Sequence, residues 1–162
     1  MTNAHEWITG GQQRFDSLLG RMIREAAMLE TYLETIVKEL CGSPYGALLI
    51  SGESSSRVIT ACRALVDARD DITEPGKQDL KKLLTESKAA FERRHRYVHG
   101  AIAWEGEGIP GTMRSRRLKN GHQFERIDID DLEALANEFN RLIFAATNCF
   151  VLLGQMPHAS TD

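Results

Sequence analysis

Apolar residues recur at intervals of three and four along the first forty positions of the chain. The residues of this stripe are Phe15, Leu18, Leu19, Met22, Ala26, Leu29, Leu33, Ile36, Val37 and Leu40. Such spacing puts the side chains on one face of an α-helix. The pattern therefore predicts one long amphipathic helix, which Gly42, Ser43 and Pro44 end.

Three further segments show the same spacing. The cluster Ser54–Ser56 can cap a second helix, with predicted buried positions Val58, Ile59, Cys62, Leu65 and Val66. A third helix restarts at Pro75 and Gly76, stops at Gly100, and carries Leu80, Leu84, Ser87, Phe91 and Val98 on one side. The fourth begins near Asp130, with the stripe Leu132, Leu135, Ala136, Phe139, Leu142, Ile143, Ala146, Phe150 and Leu153. Four such helices bury their stripes against one another, which predicts an all-α, four-helix up-down bundle.

The segment from about 101 to 127 has a different pattern. A short apolar run, 101–104, is followed by two extended runs, 112–119 and 122–127, which flank Asn120-Gly121. Asn-Gly between extended runs is a strong hairpin signal, because both turn residues tolerate positive φ. We expect a small β-hairpin insertion between the third and fourth long helices of a single domain that spans 1–162.

Composition limits the compartment and the kind of site. A chain of 162 residues with 42% hydrophobic content is typical of one domain with one core. Cys41, Cys62 and Cys149 lie far apart without CxxC spacing, so we expect reduced thiols in a cytoplasm. No export signal is visible, and the late apolar stretch 142–153 is shorter than the roughly 20 residues of a membrane span.

Charge is distributed unevenly along the chain. The formal net charge is −3, yet 93–126 holds eight basic and three acidic side chains, so this segment carries +5 and the remainder −8. The first extended run contributes Arg114, Arg116, Arg117 and Lys119, which we take as candidate RNA-binding residues. A solvated charged hairpin gives the same count, and charge alone does not choose between the two interpretations.

The densest group of reactive side chains is "ERRHRYVHG", residues 92–100. Arg94 and His99 are five positions apart, and on an ideal helix their directions differ by about 140°. They meet only if the helix ends before His99, or if the two chains of a homodimer bring their helix ends together.

The run Arg94-His95-Arg96-Tyr97-Val98-His99 resembles the R-x4-6-H motif of the HEPN superfamily, whose members are four-helix bundles with the motif close to a helix junction. His95 stands where many members have a polar residue such as asparagine. The resemblance implies a metal-independent endoribonuclease that acts as a dimer, often as a toxin with an antitoxin protein or as a phage-defence effector. It also implies that some members bind or assemble without catalysis.

The residue types suit that chemistry. RNA is cut without a metal or cofactor when its 2′-hydroxyl attacks the neighbouring phosphorus, which needs a base, an acid and a cation. Histidine titrates near neutral pH and can serve as base or acid, whereas arginine keeps its charge and binds phosphate. We assign proton transfer to His99 and phosphate binding to Arg94, with His95, Arg96 and Tyr97 as supporting residues. The expected products carry 2′,3′-cyclic phosphate and 5′-hydroxyl ends.

Other interpretations use the same residues. Arginine and histidine also complement the dipole at helix C-termini, so the run equally fits a non-catalytic helical dimerisation or interaction module of a larger complex. Glu92, His95 and His99 lie within about 60° of one another on a helix and could form one face of a zinc or iron site, which His122 or His5 could complete. The order is not HExxH and no further ligand is obvious, so we expect no metal. Glu30 and Glu34 are one turn apart, and we favour a solvated face over an orienting role.

Overall fold

The computed structural model describes residues 4–99, 101–105, 109–115 and 122–154. Its helices are α1 (Ala4–Cys41), α2 (Ser55–Ala68), α3 (Glu74–Val98) and α4 (Ile129–Gly154), and a short 3₁₀ helix spans Pro44–Leu49. Three strands separate α3 from α4: β1 (Ala101–Glu105), β2 (Ile109–Ser115) and β3 (His122–Arg126). The predicted all-α four-helix bundle with a small β insertion is confirmed.

The helix ends lie where local chemistry favours them. Gly42 follows α1 with φ +59°, a left-handed conformation that glycine adopts without steric cost, and its N–H donates to the Glu39 carbonyl at 3.1 Å. Thr73 caps the start of α3, where its hydroxyl accepts a hydrogen bond from the Gly76 N–H at 3.4 Å. These two signals fix the helix boundaries on either side of α2.

The predicted stripes form the core of the bundle. The largest fully buried side chains come mainly from α1 and α4, namely Phe15, Met22, Leu29, Leu33, Ile36, Val37, Leu40, Leu84, Leu132, Leu135, Leu142 and Phe139. The helix α3 also buries Leu83, Ala90 and Tyr97, which its predicted stripe did not include. Burial of these apolar side chains supplies the main driving force for packing the helices.

Polar pairs reveal how the helices run. Arg14 pairs with Glu133 at 3.1 Å, and Arg21 donates to Asn137 at 2.8 Å. Because the partners advance in the same order along both helices, α1 and α4 are parallel.

The helix α3 runs the opposite way to α4. Glu86 accepts a hydrogen bond from Arg141 at 2.7 Å, whereas Arg93, later in α3, pairs with Asp131, earlier in α4. The end of α3 therefore meets the start of α4, and the β insertion between them lies beside this junction.

The helix α2 begins beside the middle of α1 and ends beside its last turn. Ser55 and Val58 line a small hollow together with Leu33, and the Arg69 guanidinium donates to the Leu40 carbonyl at 2.8 Å. The helices α1 and α2 therefore run in the same direction, because the chain doubles back between them through the 3₁₀ helix. The predicted up-down order, in which consecutive helices alternate in direction, does not hold for this pair. This return places the start of α2 opposite the end of α3.

The insertion is one antiparallel sheet of order β1-β2-β3. In its register Ala101 pairs with Met113 and Ser115 with His122. The apolar run 101–104, for which we made no strand prediction, thus adds a third strand. The Ile127 N–H donates to the Pro110 carbonyl at 2.8 Å and joins the sheet to the start of α4. The predicted Asn120-Gly121 turn lies outside the described residues.

The cysteines form no disulfide among the described residues, and the helices do not fit a membrane span. Cys41, Cys62 and Cys149 are free, and burial raises the pKa of the Cys62 thiol to about 12, so this residue is a packing element. In the described part of the chain, no helix is both long enough and apolar enough to cross a membrane.

Candidate active site at the end of the third helix

The helix α3 ends within the run from Arg94 to His99. Val98 is its last residue, and His99 leaves the helix with φ −110° and ψ 24°, while its N–H donates to the His95 carbonyl at 3.3 Å. This break meets one of the two conditions under which Arg94 and His99 can act together. Arg94 and His99 line one cleft within a single chain.

The cleft has a volume of about 450 Å³ and lies between the end of α3 and the start of α2. Its α3 side consists of Lys88, Phe91, Glu92, Arg94, His95, Val98 and His99, and its other side of Glu30, Glu53, Ser54, Ser55, Ser56 and Ile59. Of the five predicted motif residues, three line this cleft: Arg94, His95 and His99. Arg96 and Tyr97 lie elsewhere.

Arg94 is held by a carboxylate from α1. Its Nη1 donates to Oε1 of Glu30 at 3.3 Å, and the two side chains are 27% and 33% exposed. The Nε atom of Arg94 is buried and has no hydrogen-bond partner among the described residues. The solvated role we favoured for Glu30 is therefore wrong, because this carboxylate orients the guanidinium inside the cleft.

The two motif histidines lie side by side. The ring centroids of His95 and His99 are 4.0 Å apart with an interplanar angle of 40°. One helical turn separates them in sequence, so both rings lie on the same face at the end of α3. Two imidazoles thus line the cleft next to the guanidinium, which allows one to act as base and the other as acid.

The wall opposite the histidines is built by the start of α2. Ser54 occupies the N-cap position with φ −68° and ψ 151°, but its hydroxyl makes no capping hydrogen bond to the described backbone. Its carbonyl instead accepts hydrogen bonds from the N–H groups of Arg57 and Val58. Ser54 thus occupies the predicted cap position without the predicted side-chain hydrogen bond, and the residue lines the cleft.

Arg96 and Tyr97 line a second cleft of about 280 Å³, between β3 and α4. Tyr97 is 7% exposed, and its hydroxyl donates to Asp131, which also accepts a hydrogen bond from Arg93. The hydrogen bond from Tyr97, followed by the charge and hydrogen bond of Arg93, lowers the pKa of Asp131. Burial, together with that hydrogen bond, raises the pKa of Tyr97 above its ordinary value. Tyr97 joins α3 to α4 here and does not line the larger cleft.

Metal ligation finds no support at this end of the bundle. Within the described ranges, no three His, Cys, Asp or Glu side chains come together as a group that could hold an ion. The alternative set of Glu92, His95 and His99 consequently does not form such a group.

The predicted RNA-binding residues belong to the sheet. Arg114 lies on β2 opposite Gln123, whereas Arg116, Arg117 and Lys119 lie outside the described residues. Two other cations of the basic segment already have carboxylate partners, since Arg93 pairs with Asp131 and Arg94 with Glu30. The positive charge of the segment is thus partly neutralised by the bundle.

Lys88, Glu53 and the serines of the cleft were not predicted as site residues. Each is a common surface or cap residue, and only its position opposite the motif gives it significance. No protein-family model, curated protein or solved structure matches this chain.

Proposed function

We propose that the chain is a metal-independent endoribonuclease of the HEPN type, with its active site in the cleft between α2 and α3. The observation that supports this most directly is the arrangement of Arg94, oriented by Glu30, in the same cleft as the paired imidazoles of His95 and His99. A cation and two titratable groups are the minimum set for cutting RNA through its own 2′-hydroxyl.

Each group has a defined task in the proposed reaction. One imidazole removes the proton of the 2′-hydroxyl, whose oxygen then forms a bond to phosphorus as the bond to the 5′-oxygen breaks. The other imidazole, protonated beforehand, gives its proton to the departing 5′-oxygen. Arg94 donates to the phosphate oxygens, where negative charge accumulates in the transition state. The products carry a 2′,3′-cyclic phosphate and a 5′-hydroxyl.

The direct test is cleavage of a mixed-sequence RNA in excess EDTA by the wild type and the variants His99→Ala and Arg94→Ala. We expect chelator-resistant cleavage with cyclic phosphate ends, which falls by about a hundredfold or more in each variant, as for loss of a group acting in proton transfer or charge stabilisation. Circular dichroism melting checks that each variant is folded.

Arg14→Ala is the matched control. Arg14 also forms ion pairs across the bundle, with Asp130 and Glu133, but it does not line the cleft. Its loss should leave cleavage unchanged. Equal activity in wild type and both folded motif variants, or no cleavage of RNA by any of them, would refute the proposal.

A second candidate, a helical interaction module, is favoured by an apolar patch on α1 and α4. Met28 lies seven residues after Arg21, and Phe144 lies seven residues after Asn137, which is about two helical turns in each case. Because Arg21 donates a hydrogen bond to Asn137, Met28 and Phe144 lie along the same contact between α1 and α4. Met28, Phe144 and Val151 are 46%, 64% and 48% exposed. An exposed apolar patch on a surface is typical of a contact site. A purified protein that does not cut RNA would favour this candidate.

A further inference from the structure

The start of α2 gives the cleft a second, differently built wall. Glu53, Ser54, Ser55 and Ser56 line it, whereas Lys88 and Arg94 line the α3 wall. Between the walls Ile59, Phe91 and Val98 contribute apolar surface. This part of the cleft combines apolar surface with a few polar residues, which suits a flat, partly polar ring such as a nucleobase better than a phosphate group.

The volume of the cleft fits such a ring. About 450 Å³ falls within the roughly 300–1,000 Å³ of small-molecule pockets. Proteins that recognise single-stranded RNA take an unstacked base into a pocket and form hydrogen bonds with its Watson–Crick edge. If Arg94 holds the phosphate on the α3 side, the neighbouring base can enter towards the wall at α2.

Glu53 is the acceptor on that wall. Both of its carboxylate oxygens accept hydrogen bonds from Nη1 of Arg57, at 2.9 and 2.8 Å, which fixes the orientation of the group. The Arg57 side chain is 74% exposed and the Glu53 side chain 35%, so the arginine lies on the solvent side of the pair. An ionised carboxylate offers about four acceptor sites and no donor, and acceptor sites therefore remain for a ligand in the cleft.

Among the RNA bases, guanine matches this group best. Its N1–H and N2–H lie next to each other and point the same way, so they can donate to both oxygens of one carboxylate. Uracil has a single N–H between two carbonyl oxygens, which a carboxylate repels. We propose that Glu53 recognises guanine in this cleft and that the chain cuts RNA next to guanosine. The part on cutting rests on the proposed endoribonuclease function.

The first experiment measures binding without catalysis. Isothermal titration with 5′-GMP and 5′-UMP compares the wild type, Glu53→Gln and Glu92→Gln. We expect wild type to bind 5′-GMP about tenfold more tightly than 5′-UMP, in line with one bidentate contact to a base. Glu53→Gln should lose this difference, because an amide cannot present two acceptors.

Glu92→Gln is the matched control, since it removes one carboxylate from the opposite wall of the same cleft. It should keep the preference for 5′-GMP. Equal binding of the two nucleotides by the wild type, or the same loss of preference in both variants, would overturn the assignment of Glu53.

Sequencing of the RNA ends separates the two proposals. Cleavage next to guanosine that becomes indifferent to the base in Glu53→Gln supports both. Preferential binding of 5′-GMP without any cleavage refutes the endoribonuclease and leaves guanine recognition by Glu53 supported. Cleavage with no base preference in the wild type refutes guanine recognition and leaves the endoribonuclease supported.

Discussion

Arg94 is the residue on which the proposed site depends most, and its geometry is set by Glu30. The pair joins positions 64 apart in the chain, with 3.3 Å between Nη1 and Oε1. Because both side chains are partly exposed, the pair should contribute only about 0–1 kcal/mol to the free energy of unfolding. In the proposed reaction the pair orients the guanidinium towards a phosphate in the cleft.

Glu30→Gln is therefore expected to lower kcat about tenfold, equivalent to ~1.4 kcal/mol of transition-state stabilisation, with little change in KM and in the midpoint of thermal unfolding. Steady-state cleavage of a fluorogenic RNA measures both constants. Glu34→Gln, one turn further along α1 and outside the cleft lining, is the control. A faster Glu30→Gln enzyme would mean that Glu30 competes with the phosphate for Arg94.

Asp131 links stability to pH, because the hydrogen bond from Tyr97 and the Arg93 guanidinium lower its pKa. In the unfolded chain the pKa of aspartate is about 3.9. A lowered folded-state pKa stabilises the protein above that value, and this contribution is lost as pH falls through the folded-state pKa. Asp131→Asn should thus be about 1 kcal/mol less stable than the wild type at pH 7. It should also lose less stability as the pH falls below about 4.

Urea unfolding at a series of pH values measures the effect. Asp130→Asn removes the neighbouring carboxylate, which is 89% exposed, and should match the wild type at pH 7. An Asp131→Asn curve parallel to that of the wild type throughout the acid range would show that Asp131 contributes nothing to acid unfolding.

Among the helices, α1 contributes most to the core, because its apolar stripe packs against both α2 and α4. Leu33 is 0% exposed, and Leu33→Ala should lower the free energy of unfolding by about 2–5 kcal/mol because it removes buried methyl groups and leaves a cavity. Leu48 on the 3₁₀ helix is 74% exposed, and Leu48→Ala should change the free energy by no more than about 0.5 kcal/mol. Chemical denaturation of the pair measures both, and similar values would contradict the assigned core.

At the scale of the whole molecule, Arg94 and His99 line the same cleft of one chain. The predicted homodimer stays a prediction, but the proposed site does not need a second chain to bring these two residues together. Mixing Arg94→Ala with His99→Ala, after unfolding and refolding them together, should therefore not restore cleavage. Recovery of a quarter to a half of the wild-type rate, as a site shared between chains would give, would contradict a site within one chain.

Features that depend on neighbouring residues in the chain follow from the sequence alone. The spacing of Leu29, Leu33 and Ile36 predicts a helix face because helical geometry repeats every 3.6 residues, and Gly42 predicts the end of α1 because it tolerates positive φ. The run Arg94–His99 predicts a candidate site from its residue types alone. All of these are local in sequence.

Which residues share a cleft depends on how the helices pack against one another. The return of the chain before α2 brings Glu53 and the serines opposite His99, and the packing of α1 brings Glu30 to Arg94. The orientation of α3 about its own axis also separates the motif residues. Arg94, His95 and His99 line the cleft towards α2, whereas Tyr97 is buried against Asp131 of α4. Contacts between helices depend on the packing of all the stripes at once, and no local pattern in the sequence encodes them.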